Sequence, residues 1–357
     1  MSQRSKEYVD GMLVEWGAAF FNQGSVATGS VGQGAKGMVP TKSRRQKTGG
    51  VLSKAQKADA VRNKLRAVAR RSPEVMIKFV AGAPRGMRQI KRALDYVSRK
   101  GEIPLEEQDG IVTQGKEELG QLKEDWQNSG AFIAEEEGKL IQAYHLVLSM
   151  PEGTDELGVK RAVRDFAERE LGGHLYVMAQ HTFDNDPDPE PSKHPHVHIV
   201  VKVRGEDGKR LNPRKDDLQR WRETYAEALR SHGIDATATR RLQRLKLERG
   251  ERQAVRQIRD SGRELKQIGH NRGDPERARR AIRLEGVAIE AYKRLCAALG
   301  QSDDVGDQQL AVSVMNRLAE DRGIATPAQR AARIAEPEQA PKRAEPVVKR
   351  EPGEPER

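Results

Sequence analysis

Between residues 75 and 240 the apolar positions keep changing period, and each change marks an element. VMIKFV at 75–80 is a short apolar run that predicts a strand, followed by the loop AGAPRG. Met87, Ile90, Leu94 and Val97 recur at helical spacing and predict a helix buried along that stripe and ended by Gly101. Tyr96 lies off the stripe, on the side carrying Gln89, Arg92 and Arg99. Residues 101–140 are acidic and mixed, with a helix predicted around Glu117 to Trp126. YHLVLS at 144–149 predicts the next strand, closed by Met150-Pro151. Thr154 or Asp155 can cap a helix burying Val159, Val163 and Phe166, which Gly172-Gly173 ends. Leu175 to His181 and His196 to Val203 are two more strands. Asn212 and Pro213 open a helix with Leu218, Trp221, Tyr225 and Leu229 on its buried stripe, stopped by Gly233. Ile234 to Thr239 offers a last strand.

This order predicts an α+β fold, with a mainly antiparallel five-stranded sheet and helices packed on one face. The other face is left for a substrate.

The flanks differ in composition. Only 36% of the 357 residues are hydrophobic and 4% aromatic, against 33% charged, so much of the chain cannot be core. The net charge of +11 favours a polyanionic partner. Residues 1–71 hold 14 Lys/Arg against 4 Asp/Glu, and so +10 of that charge. With the run GSVATGSVGQGAKG they predict a basic, largely disordered arm that can grip a nucleic-acid backbone. A compact domain is expected over 72–240, an arginine-rich helical region over 241–326, and a disordered proline- and charge-rich tail over 327–357. One cysteine, Cys296, fits a reducing cytoplasm and excludes a disulfide framework. No run of about 18 apolar residues predicts a membrane span, and the N-terminus MSQRSKEYVD lacks a signal-peptide apolar core.

Chemistry concentrates in LYVMAQHTFDNDPDPEPSKHPHVHIVVKV, residues 175–203, which holds four of the eight histidines. Alternation from His196 to Val203 puts His196 and His198 on one strand face, with Val197, Ile199 and Val201 on the other. The proline-rich connection NDPDPEPSK returns the chain, so His181 is expected beside them in an antiparallel pair. Three neutral imidazoles at one spot make a divalent-metal site that leaves positions open for water or substrate. His194 has the parity to act as an alternative or supporting ligand. A zinc finger is excluded, since no CxxC exists.

HPHVH with an upstream histidine resembles the His-hydrophobe-His motif of single-strand endonucleases. RGMRQIKRALDYVSRKGEIPLE resembles the nucleophile segment of MobP-class conjugative relaxases, the class that includes the T-DNA border endonuclease. HLVLSMPEGT and LNPRKDDLQRWRETYAEALRSHGIDATATR resemble further blocks of that class in the same order, so the likeness spans about residues 75–240. It implies Tyr96 as nucleophile, His181, His196 and His198 as metal ligands, and Ser149 near the DNA. Arg92 and Arg99 would supply positive field and DNA contact. The implied cofactor is Mg²⁺ or Mn²⁺. The implied activity is nicking of one strand at a plasmid transfer origin, through a 5′-phosphotyrosine. The partners it implies are single-stranded origin DNA, relaxosome accessory proteins and the coupling protein of a type IV secretion system. The bacterial cytoplasm is the expected location, with passage into the recipient cell alongside the DNA. Against this stand a rolling-circle replication initiator, a non-catalytic mobilisation accessory protein that binds DNA, and a hydrolase acting through metal-bound water.

Overall fold

The computed structural model describes residues 3–17, 20–21, 53–80, 82–130, 132–245 and 275–321. Six strands form one sheet: β1 (Met76–Phe79), β2 (Leu105–Glu107), β3 (Val112–Thr113), β4 (Ala143–Ser149), β5 (Tyr176–His181) and β6 (His196–Lys202). Their spatial order is β1-β4-β6-β5-β2-β3, and every neighbouring pair is antiparallel. The described α-helices are α1 (Gln3–Met12), α2 (Lys54–Arg70), α3 (Met87–Val97), α4 (Lys116–Asn128), α5 (Glu156–Leu171), α6 (Lys215–Ser231), α7 (Pro275–Gly300) and α8 (Val305–Asp321).

The α+β architecture is as expected, with six strands rather than five. The β2–β3 hairpin is too short and acidic to show a period in the sequence. Ile234 to Thr239 forms no strand; Thr237 makes a single parallel bridge to Glu74.

Helices α5 and α6 cover one face. Asp155 caps α5 by accepting from the Leu157 and Gly158 amides, and Val159, Val163 and Phe166 pack on Leu148, Ile199 and Trp221. Helix α6 starts later than the sequence suggested: the Arg214 amide donates to Asp217 Oδ2, and the helix begins at Lys215. Gly233 at φ 78° turns the chain, so the Ile234 amide reaches the Leu229 carbonyl.

The opposite face is partly covered as well, where an open face was expected. Met87, Ile90 and Leu94 of α3 and Leu119, Leu122 and Trp126 of α4 close over Ala143, Val177 and Val200. Lys202 is buried at that end, and its Nζ donates to the Trp126 and Ser129 carbonyls at 2.8 and 2.7 Å. It thereby ties the end of α4 to β6, while burial pushes the amine down to about 8. The covering stops short of the histidines.

The chain ends form a third core. Residues 3–17 and 54–70, expected within a disordered arm, are helical. Ser53 and Gln56 make a reciprocal capping box that starts α2. Val61 and Leu65 of α2 pack with Val9 and Leu13 of the N-terminal segment, Tyr292 and Leu295 of α7, and Val314 and Leu318 of α8. The buried Arg62 guanidinium joins both ends, to Asp10 at 2.7 Å and Asp307 at 2.8 Å. The basic side chains of α2 mostly face outward, which is why composition made it look like a tail. Residues 22–52, 246–274 and 322–357, which carry most of the glycine-rich stretch, the arginine-rich run and the tail, lie outside the described residues.

Candidate active site

Register on the partly covered face assembles the site. His181 pairs with His196 across β5 and β6, and His196 pairs with Ser149 across β6 and β4. His198 lies between Ala179 and Val147. Nitrogen atoms of His181, His196 and His198 lie within 4.8 Å of one another, and this spacing and donor type fit one divalent ion. Burial pushes His196 and His198 below the usual imidazole range, which keeps them neutral as ligands must be.

Each ring is held from behind. His181 Nδ1 donates to Asp186 Oδ2 at 2.9 Å; its Nε2, the nitrogen left to face an ion, lies 2.7 Å from the Val97 carbonyl and would have to turn from it to ligate. His196 Nδ1 lies 2.9 Å from the His194 carbonyl. His198 Nδ1 lies 2.8 Å from Nε2 of His145, a buried residue of β4. Burial pushes His145 down to about 4, with repulsion from His181 adding to it. Such outer contacts fix ring orientation in metal sites.

Tyr96 projects from α3 over this cluster. Its ring centroid is 5.7 Å from His198 and 6.0 Å from His145, yet the residue stays 52% exposed, open to a large substrate. The Arg99 guanidinium lies 4.9 Å from the Tyr96 ring centroid and forms a fork with Asp186, with bonds of 2.7 and 2.8 Å. That fork holds the Asp186 carboxyl well below the usual range and fixes the positive charge beside the phenol. Arg99 and Lys100 both adopt left-handed backbone, φ 49° and 59°, in the turn that makes this reach.

Not every expected residue joins the cluster. The exposed His194 turns its Nδ1 to the Glu152 amide at 2.9 Å, so only its backbone carbonyl supports a neighbouring ring. Arg99 is committed to Asp186 rather than presented to solvent. Ser149 and Arg92 stay accessible, Arg92 on the exposed side of α3 one turn before Tyr96.

The family model for the MobA/VirD2-like relaxase nuclease domain matches residues 96–234. That span starts at Tyr96 and includes His145, His181, Asp186, His196 and His198. Over this segment the chain is similar to a relaxase nuclease domain. The relaxase match excludes β1 and most of α3, although both belong to the same folded unit, and it excludes α1, α2, α7 and α8. No curated protein matches the chain. Among the described residues, no helix is long and apolar enough to cross a membrane.

Sequence reasoning missed two residues that hold this cluster, His145 and Asp186. His145 carried one signal, since alternation in YHLVLS puts it on the Ser149 face. Asp186 carried none: it sits in an acidic loop whose other carboxylates look alike. A tight turn places it there, with Thr182 N–H donating to Asn185 Oδ1 and Asn185 N–H to Thr182 Oγ1.

Proposed function

We propose that the chain nicks one DNA strand at a plasmid transfer origin and remains attached to the 5′ end through Tyr96. The observation that carries this is an exposed phenol standing over three histidines that can hold one ion. In this mechanism Tyr96 Oη attacks the scissile phosphorus and forms the phosphotyrosine bond. The bond from phosphorus to the 3′ oxygen breaks, and the phenolic proton is finally balanced by protonation of that oxygen. The reverse transesterification rejoins the strand, because the phosphodiester energy is kept in the covalent link. A divalent ion held by His181, His196 and His198, Mg²⁺ or Mn²⁺ by this reading, would polarise a non-bridging phosphate oxygen. Arg99 lends fixed positive charge to the tyrosine as it loses its proton, and needs no reorganisation since Asp186 already holds it. Asp186 and His145 keep His181 and His198 oriented. Ser149 and Arg92 contact the bound strand.

The supply of tyrosines favours transfer over repeated replication rounds. No second tyrosine stands on α3, and Tyr144 packs against Phe79 on the opposite face of the sheet. Residues 72–240 act as the nicking domain, with the helical region left for relaxosome proteins and the secretion coupling protein. The protein would work in the bacterial cytoplasm and travel with the DNA. The test is to incubate it with single-stranded oligonucleotides tiled across the DNA flanking its gene, with Mg²⁺ or Mn²⁺. A covalent adduct mapped to Tyr96 is expected. Cleavage that leaves a free 5′ phosphate and no adduct would favour hydrolysis by water instead.

A further inference from the structure

A cleft of about 300 Å³ opens beside Tyr96 and His145, between α3 and the segment leading out of β1, and none of the three histidines lines it. Val80, Pro84 and Ala93 line it with apolar surface, His145 and Tyr96 contribute ring surface, and Arg92 lines it as well. Its size is near the lower end of the ~300–1,000 Å³ range of small-ligand clefts, which suits one flat ring system rather than a length of chain.

A second observation concerns charge. Along α3, Arg88 pairs with Glu136 and Lys91 with Glu135, and the turn beyond commits Arg99 to Asp186. Arg92 has no ion-pair partner among the described residues, although it is exposed and lines the cleft. Lys78 is likewise exposed and without an ion-pair partner among the described residues. It lies two residues before Val80 on β1, with its partner Val147 on the histidine face. The cleft is therefore a largely apolar slot next to the proposed nucleophile, lined by one cation, Arg92, that has no ion-pair partner among the described residues, with Lys78 two residues before its Val80 wall. Single-stranded nucleic acid has the matching chemistry, an apolar base face with anionic groups flanking it.

We propose that this cleft binds one nucleobase of the single strand adjoining the scissile phosphate, with Arg92 and Lys78 on the flanking phosphates. The proposal rests on the nicking function above and adds a place where bases near the cut can be read. A base seated there would hold the neighbouring phosphate against Tyr96, so positioning and recognition would share one contact.

The test uses the full chain and an oligonucleotide that the wild type cuts, with affinity measured by fluorescence anisotropy in EDTA to prevent cleavage. Bases are removed one at a time to leave abasic sites. One abasic position beside the cut should weaken wild-type binding about tenfold, the scale of a single stacked base. Val80→Phe, which fills the slot, should weaken binding of the intact strand by a similar factor and make that abasic position nearly neutral. Arg92→Ala should reduce the slope of log Kd against log salt by about 0.7, the change for one phosphate contact on a single strand. If Val80→Phe fails to melt cooperatively, Ala93→Leu takes its place. Intact-strand affinity and an abasic profile unchanged by filling, or an unchanged salt slope in Arg92→Ala, would overturn the proposal. Those results leave the nicking function standing if the wild type still forms its adduct. If no tiled oligonucleotide is cut, the nicking function itself falls, and the cleft proposal with it.

Discussion

His145 Nε2 lies 2.8 Å from His198 Nδ1, a diagonal contact across the β4–β6 pair. A His198 that presents its other nitrogen to a metal must carry its proton on Nδ1, and His145 is placed to accept it. His145→Ala should therefore lower Mn²⁺ affinity by about 10–100-fold, while His145→Gln, whose amide oxygen can accept the same proton, should recover part of the loss. Isothermal titration calorimetry of the unreacted protein measures this directly. Equal affinity in wild type and His145→Ala would remove His145 from the site.

Replacing His181, His196 or His198 by Ala should abolish nicking while single-strand affinity at low salt stays close to wild type, because phosphate contacts carry most of that affinity. His194→Ala should be much milder, since its ring serves the Glu152 amide and its backbone carbonyl survives the change. Metal titration of the four variants is the check. A His194→Ala protein that loses the ion as fully as His196→Ala would show the wrong set had been chosen.

Tyr96→Phe should remove all covalent adduct. The ring remains beside His198 and Arg99, so folding and metal binding should persist, but no oxygen is left to attack phosphorus. Peptide mapping after incubation with cut-competent DNA gives the answer. An adduct on another tyrosine would end both the nucleophile assignment and the argument for a single attachment.

Stability should depend on pH through His145. In an unfolded chain an imidazole takes up a proton below about 6.5, whereas burial holds His145 neutral down to about 4. Between those values the unfolded state binds more protons, so the contribution is intact above 6.5 and is lost as pH falls toward 4. For His145 alone the loss is on the order of 3 kcal/mol, and His198 acts in the same direction. Denaturant melts in EDTA at pH 7, 5.5 and 4.5 should show this fall, and His145→Gln should flatten it. Parallel profiles for the two proteins would count against a buried neutral His145.

The helical core at the chain ends should behave as one unit. Deleting residues 275–321 alone uncovers Val9, Leu13, Val61 and Leu65, so that protein should aggregate or lose the α1–α2 signal in hydrogen exchange. Removing both ends to leave residues 72–240 should instead give a cooperative melt and retain cutting of a short oligonucleotide. A soluble 275–321 deletion with α2 fully protected would contradict the shared core.

Much of the site was legible from local period. Strand geometry alone puts His196 and His198 on one face and gives His181 the matching parity, because side chains alternate whatever the strand pairs with. Helical spacing likewise put Met87, Ile90, Leu94 and Val97 inside and left Tyr96 outside. What period cannot state is which strand lies next to which. His145 meets His198 only because β4 is the neighbour of β6 in the register Val147 opposite His198. Asp186 matters only because Arg99, 87 residues earlier, folds back to it. The chain ends show the same limit most plainly. In the sequence Arg62 is only one of the basic residues of 1–71; in the fold Asp10 and Asp307 meet it in a common core, because burial and pairing are properties of contacts between distant segments and leave no period in the sequence.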